Sequence, residues 1–301
     1  MSRGSSPLRI ATRRSDLALW QANWVRARLE GLGHAAELVL IDTQGDRTQA
    51  DGTPFRLMPG QGFFTKAVQD AVAEGRADLA VHSHKDLPSA RMAGLELAAV
   101  PGREDPRDVL LVRPAAFDPA APALPLKHGA AVGTSAARRR AQLLHLRGDL
   151  GVRELRGNVP TRVRKLREGG YDAVVLAAAG LKRLELDLSG LEVVPLEPHL
   201  FVPAPAQGAL ALEVRGDDHN LAALLTDLHD PAAYRAVAAE RGLMGMLSGG
   251  CQLALGAHAA LKGGLIELTA WYEGQKITVS ETSSENAAML AFGALGRPTP
   301  V

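Results

Sequence analysis

Short apolar runs alternate with stretches of helical period through the first two-thirds of this chain, and that alternation limits the fold more than any other feature. Leu8–Thr12 reads as a strand and passes through Arg13-Arg14-Ser15 into an amphipathic helix over about 16–30, capped by Ser15 or Asp16. Glu37–Ile41 is the next strand, 64–74 a helix, and Ala77–His82 a buried strand that runs out into Ser83-His84-Lys85-Asp86. The pattern resumes with strands at Val109–Val112, Ala130–Gly133, Val152–Leu155 and Ala173–Ala177, and with helices from Ser135 to about 147 and over about 159–168. Strand–helix alternation of this kind predicts an α/β fold with mostly parallel sheets.

From about residue 221 the grammar changes. Two helices (about 219–228 and 231–247) precede strands at Ala257–Leu261, Leu265–Trp271 and Lys276–Ser280 and a last helix at 285–294, which reads as a small α+β domain. Crossing points near 102–106 and 203–213 divide the chain into 1–102 with 203–220, then 106–200, then 221–301. The segment from Thr43 to Gly62 has turn residues and no period, so it is expected to be a long loop. No internal repeat is visible.

Composition narrows the function. Net charge is +1, so no global field recruits nucleic acid or a membrane surface. The longest apolar run, Ala173–Ala179, is far below the ~20 residues that span a bilayer. No apolar stretch of signal-peptide type follows Arg3. Cys251 is the single cysteine, which excludes an internal disulfide and fits a reducing compartment. These observations predict a cytoplasmic protein.

Charge is concentrated locally. Nine Arg and one Lys lie between 138 and 167, against Asp149 and Glu154. Within that stretch, Val132-Gly133-Thr134-Ser135-Ala136-Ala137-Arg138-Arg139 places two hydroxyls and two guanidiniums where a strand turns into a helix, a position that favours anions. Leu155-Arg156-Gly157-Asn158-Val159-Pro160-Thr161-Arg162 repeats that logic. Arg13 and Ser15 hold the same kind of position in the first domain, so two domains are expected to face each other across a cleft lined with arginine. Ordinary capped helices with solvated arginines are the plain alternative.

Two further segments carry reactive groups. In His82-Ser83-His84-Lys85-Asp86, continued strand geometry would put 82, 84 and 86 on one face. His-x-His is a metal-ligand spacing, but the other histidines show no companion spacing, so no metal site is assigned. Asp86 is a candidate proton donor and cation stabiliser, or else a salt-bridged strand end. Cys251 follows Gly249-Gly250, a turn that exposes a side chain, although a lone cysteine also serves as a small inert hydrophobe.

Taken together, these segments resemble the porphobilinogen deaminase family. The resemblance runs from Leu8 to about Gly256 and includes Arg9-Ile10-Ala11-Thr12-Arg13, Val81-His82-Ser83-His84-Lys85-Asp86-Leu87-Pro88, Arg103-Glu104-Asp105-Pro106-Arg107-Asp108, Gln207-Gly208-Ala209 and Gly249-Gly250-Cys251-Gln252. It implies two α/β domains like those of periplasmic binding proteins around a cleft, plus a small C-terminal α+β domain. The implied reaction condenses four porphobilinogen molecules head to tail, with loss of ammonia, into a linear tetrapyrrole. It also implies a dipyrromethane cofactor joined to Cys251 and a catalytic role for Asp86. The resemblance assigns Ser83, Lys85, Thr134, Ser135, Arg138 and Arg139 to the cofactor and Arg13, Ser15, Arg156, Arg162 and Arg183 to substrate carboxylates. A monomer is expected.

The chemistry of the residues is compatible with this. Each pyrrole brings two carboxylates, so a growing chain needs many guanidiniums, and loss of ammonia leaves a cationic azafulvene that a carboxylate stabilises. The sequence departs from the family's usual pattern at Asp16, Gln61, Ala67, His84, Ala136, Pro205 and Ala206. A non-catalytic binding protein for a polycarboxylate would need neither Cys251 nor Asp86, and a hydrolase with metal on His82 and His84 would hold stoichiometric metal and be indifferent to loss of Cys251.

Overall fold

The computed structural model describes residues 6–43, 65–247 and 253–296. Along the chain come β1 (Leu8–Arg13), α1 (Asp16–Gly31), β2 (Ala36–Ile41), α2 (Lys66–Ala73), β3 (Leu79–Ser83) and β4 (Leu95–Ala99). Next are β5 (Asp108–Val112), β6 (Ala131–Gly133), α3 (Ala137–Leu146), β7 (Gly151–Arg153), α4 (Val159–Arg167), β8 (Ala173–Ala177), α5 (Ala178–Arg183) and β9 (Glu192–Leu196). The last part supplies β10 (Leu210–Arg215), α6 (His219–Leu225), α7 (Pro231–Met246), β11 (Gly256–Lys262), β12 (Leu265–Tyr272), β13 (Gln275–Glu281) and α8 (Ser284–Ala294). These divide into two compact units, Met1–Glu104 with Ala209–Tyr234, and Asp105–Gly208 with Arg235–Val301.

In the first unit the period-two pattern of β1 sends Ile10 to one face of the sheet and Ala11 to the other. Ile10, Leu79, Val81 and Leu212 pack against Ala22, Val25 and Leu29 of α1 and Leu221 and Leu225 of α6. Ala11 and Ala80 pack against Val68, Ala71 and Val72 of α2 on the opposite face. Complete burial of Val25 and Leu29 stabilises α1 by about 1.5–3 kcal/mol each. The strand order is β2-β1-β3-β10-β4. β1 is parallel to β2 and β3, and β10 runs antiparallel to both β3 and β4. Because Leu221 and Leu225 belong to this core, the chain stays with the first unit past the expected boundary at 220.

The second unit contains a sheet of the same order, β7-β6-β8-β5-β9. β6 is parallel to β7 and β8, while β5 is antiparallel to β8 and β9. Each five-stranded sheet is therefore mostly parallel, as expected, with four strands running one way and a single strand, β10 or β5, entering antiparallel. Val109 and Leu111 face Val163 and Leu166 of α4 and Leu181 of α5, whereas Leu110 and Val112 face Leu143 of α3.

The same unit carries the antiparallel sheet β11-β12-β13. Ile266, Leu268 and Ala270 pack against Ala239 and Leu243 of α7 and Ala288, Ala291 and Phe292 of α8. At Gly256, where β11 starts, a Cβ would lie 2.7 Å from the Val202 carbonyl oxygen, so a larger residue would push the two segments apart. The fully buried Glu240 carboxylate accepts from the backbone N–H groups of Ala206 (2.6 Å) and Ala259 (2.7 Å), fastening β11 to the segment before β10. The fold is mixed α/β with a small C-terminal antiparallel sheet and helices.

Candidate active site

In the first unit, β1 and β3 lie side by side and parallel, so the residues that follow them leave the same edge of the sheet. Arg13 ends β1, and Ser15 accepts from the Ala18 N–H (3.4 Å) at the start of α1, where Asp16 complements the helix dipole. β3 ends at Ser83, and His84–Asp86 forms one turn of 3-10 helix. The expected common face for 82, 84 and 86 is therefore corrected: the strand stops before His84. The His84 N–H donates to the Ala209 carbonyl (3.0 Å), and the His84 side chain is buried. Lys85 and Asp86 are half-buried. Ser83 Oγ accepts from Gln21 of α1 at 2.8 Å. His82 is buried beside Glu213 of β10, with Nε2 3.1 Å from the carboxylate.

In the second unit, three parallel strand ends gather the arginines. Arg138 and Arg139 follow β6, Arg156 and Arg162 follow β7, and Arg183 ends α5 after β8. Asp108 joins them, because β5 starts opposite the last residue of β8, Ala177. α3 begins two residues later than expected, and its N-cap, Ala136, has no side-chain oxygen. The hydroxyls before it have backbone partners. Ser135 Oγ donates to the Leu155 carbonyl (2.7 Å), and Thr134 Oγ1 accepts from the Ala136 N–H (3.2 Å).

Arg138 and Arg139 differ most from expectation, because each is buried and paired within the protein. Arg139 places Nε (3.0 Å) and Nη2 (2.7 Å) on Asp108 Oδ1 and Nη1 on the Val175 carbonyl (2.9 Å). Arg138 Nη1 lies 2.7 Å from Asp108 Oδ2 and donates to the Val202 carbonyl (2.8 Å). Gln207 Nε2 also donates to Asp108 Oδ1 (3.0 Å) and to the Pro106 carbonyl (2.8 Å). Burial alone would push the Asp108 carboxyl up; Arg138 and Arg139 outweigh it and hold the group well below the usual carboxylate range. Burial draws the Arg138 guanidinium down, against the pull of Asp108.

Arg162 has a different setting. Its Nε donates to the Gly157 carbonyl (2.8 Å). Burial first, then the cations Arg139 and Arg156, push its guanidinium down to about 10. Arg156 lies 3.4 Å from the exposed Glu154 carboxylate, and Arg183 Nη2 donates to the Gly208 carbonyl (2.8 Å). The turn between Arg156 and Arg162 depends on Gly157, at φ +118°, where a Cβ would lie 2.6 Å from Thr161 Cγ2. Asn158 caps α4 by accepting from the Thr161 N–H (2.9 Å). Crowded cations in low dielectric are stabilised by an anion, so Arg162 and the neighbouring Arg156 suit a ligand rich in carboxylates. That chemistry is compatible with the acetate and propionate arms of dipyrromethane and of the pyrroles added to it.

Cys251, Gln61 and the segment 44–62 lie outside the described residues. Among the described residues no group of three His, Cys, Asp or Glu could hold a metal ion, and no helix is long and apolar enough to cross a membrane. Sequence reasoning gave no role to Asp108, Gln207 or Glu213. The available signal was an acidic residue opening or interrupting an otherwise apolar strand, as in Asp108-Val109-Leu110-Leu111-Val112.

The family model described as porphobilinogen deaminase, dipyromethane cofactor binding domain, matches residues 8–223. The chain belongs to the porphobilinogen deaminase family. The match begins in β1 and ends in α6, so it takes in both five-stranded sheets. Porphobilinogen deaminase of Syntrophotalea carbinolica is 49% identical over 259 residues, covering 85% of this chain and 79% of that one. The porphobilinogen deaminase of Pelobacter propionicus is 44% identical over 281 residues, covering 92% and 87%. That of Nitratidesulfovibrio vulgaris is 47% identical over 257 residues, covering 84% and 78%. The substrate-binding protein AbpA of Streptococcus pneumoniae aligns at TM-score 0.42 and 14% identity over 74% of this chain and 86% of that one, too distant to carry an argument.

Proposed function

We infer that this chain is a transferase that condenses four porphobilinogen molecules, with release of ammonia, into hydroxymethylbilane. The family match across both five-stranded sheets carries this reading. The arginine-rich sheet edge supports it, because substrate and product are polycarboxylates. A dipyrromethane group held through Cys251 would supply the terminal pyrrole to which the first substrate is joined.

The proposed roles of the chain's own residues follow from their chemistry. Asp86, half-buried on its turn, protonates the departing amine so that the C–N bond breaks with ammonia leaving. Its carboxylate then balances the positive charge left on the substrate. Lys85, Ser83, Arg13 and Ser15, on the same sheet edge, orient carboxylates of the substrate or cofactor. Arg156, Arg162 and Arg183 take carboxylates of the growing chain, and Arg162 gains most, since an added anion relieves its crowding by Arg139 and Arg156. Arg138 and Arg139, with Thr134 and Ser135, would hold carboxylate arms of the cofactor with the donors that Asp108 and the backbone carbonyls do not take. A covalent tether through Cys251 would keep the growing chain on the protein, so each coupling takes place within one enzyme–substrate complex. The three-stranded sheet with α7 and α8 acts as a third domain, and the enzyme works as a cytoplasmic monomer.

Intact-protein mass before and after incubation with porphobilinogen, with peptide mapping, tests this. An adduct of two condensed pyrroles on Cys251 together with hydroxymethylbilane release is expected. An unmodified Cys251 and no product after incubation would refute it. A Cys251→Ser chain is expected to carry no adduct, whereas a non-catalytic binding protein would be indifferent to that change.

A further inference from the structure

The last two residues of β3 are fastened from both faces of the sheet. Strand alternation sends Ser83 toward α1, where Gln21 Nε2 donates to its hydroxyl at 2.8 Å. His82 points the other way, toward α2 and β10. There Glu213 Oε2 lies 3.1 Å from His82 Nε2, and Gln69 of α2 donates its amide to both Glu213 oxygens (3.2 and 2.9 Å). His82, Glu213 and Gln69 are each more than nine-tenths buried, at 5%, 6% and 6% exposure. Around them the faces of β1, β3 and α2 are apolar (Ala11, Ala80, Val68 and Val72), while β10 carries Arg215 two residues on, which donates to the Val72 and Ala77 carbonyls.

A carboxylate in such surroundings is costly unless it is paired, and an apolar residue would pack there at no such cost. The placement of Glu213 gives it a use. In the antiparallel β3–β10 pair Glu213 stands opposite Ala80, so it reaches diagonally to His82. One residue after His82 the strand ends, and the turn His84–Asp86 begins. That turn is also tied to β10 by the His84 N–H on the Ala209 carbonyl (3.0 Å). β10 and α2 thus hold β3 in register up to the residue where it turns.

We propose that Glu213, held by the Gln69 amide against His82, is a positioning residue that fixes the Asp86 turn at the end of β3. The proposal rests on the reading of Asp86 as the catalytic carboxylate. Glu213 acts through the backbone of residues 82–86 and touches no substrate. Displacement of a reacting group by about 1 Å lowers rates by up to 10²-fold, so partial loosening of the turn is expected to lower turnover about tenfold.

The experiment uses the full, cofactor-loaded chain with Glu213→Gln, and with Gln69→Met as a second variant should the first fail to fold. Turnover is expected to fall about tenfold with KM within twofold and the cofactor adduct unchanged in mass. Amide exchange is expected to quicken at residues 83–87 while the β1–β2 pair keeps its protection. Combined with Asp86→Glu, the loss is expected to be clearly smaller than the product of the two single losses, because both act on one group. Losses that multiply fully, or exchange that rises throughout the first unit, would overturn the positioning role and leave Asp86 intact. Near-normal turnover in Asp86→Ala would instead refute the role of Asp86 itself.

Discussion

Replacing Asp108 by Asn tests the most heavily committed electrostatic feature of the fold. The carboxylate is fully buried and is the shared counter-ion of Arg138 and Arg139, each at 2.7 Å. Asn keeps the shape and one acceptor but removes the charge, leaving two buried guanidiniums uncompensated. Removing one partner of a buried pair costs about 3–5 kcal/mol. For a unit of about 170 residues, each kcal/mol lowers the midpoint by roughly 2–4 °C, so the second unit is expected to melt roughly 6–20 °C lower. Thermal unfolding followed by circular dichroism measures this, with Glu168→Gln as control. Glu168 pairs with Arg164 at the surface (2.7 Å), where loss of a pair costs under ~1 kcal/mol.

The pH dependence has a definite sign. The folded carboxyl of Asp108 is held below its ordinary value of 3.8, so its contribution is fully present above that value and lost as pH falls through the folded value. The gap between wild type and Asp108→Asn should therefore close in strong acid. A midpoint within 2 °C of wild type at neutral pH, measured for folded protein, would refute the argument that Asp108 neutralises this pair (a shift of that size corresponds to roughly 1 kcal/mol or less).

Three other outcomes follow from the same sheet edge. Gly157→Ala, forced into φ +118° with its Cβ against Thr161, should cost about 1–3 kcal/mol in urea unfolding. Arg162→Leu removes a cation crowded by Arg139 and Arg156, so thermal stability should hold or rise while turnover of porphobilinogen falls at least about tenfold, the loss of one charge-assisted contact. Affinity for a carboxylate-bearing competitor, read by calorimetry, should weaken as pH rises through about 10, since Arg162 gives up its proton there; a flat profile would separate Arg162 from ligand binding.

Much of this site was legible because its signals are local. Arg13-x-Ser15 and Gly157-Asn158 are marked by a cap and a turn. What stayed hidden depends on residues far apart in sequence. Asp108 meets Arg139 only because β5 enters antiparallel beside β8, 31 residues apart along the chain. Gln69 meets Glu213 across 144 residues. The common face predicted for 82, 84 and 86 failed because a 3-10 turn follows Ser83 without any Gly or Pro to announce it. The shared strand order of the two five-stranded sheets escaped notice because topology repeats here without a sequence period.

The place of β10 sets an order of assembly. It lies between β3 and β4, yet it is made more than a hundred residues after them. Until Leu210–Arg215 leave the ribosome, β3 and β4 each present an open edge to other chains. The second sheet has no such wait, because β5 to β9 follow one another within Asp108–Leu196. During synthesis the later sheet is therefore the first to close, and the turn that carries Asp86 is completed by a strand from the far side of it.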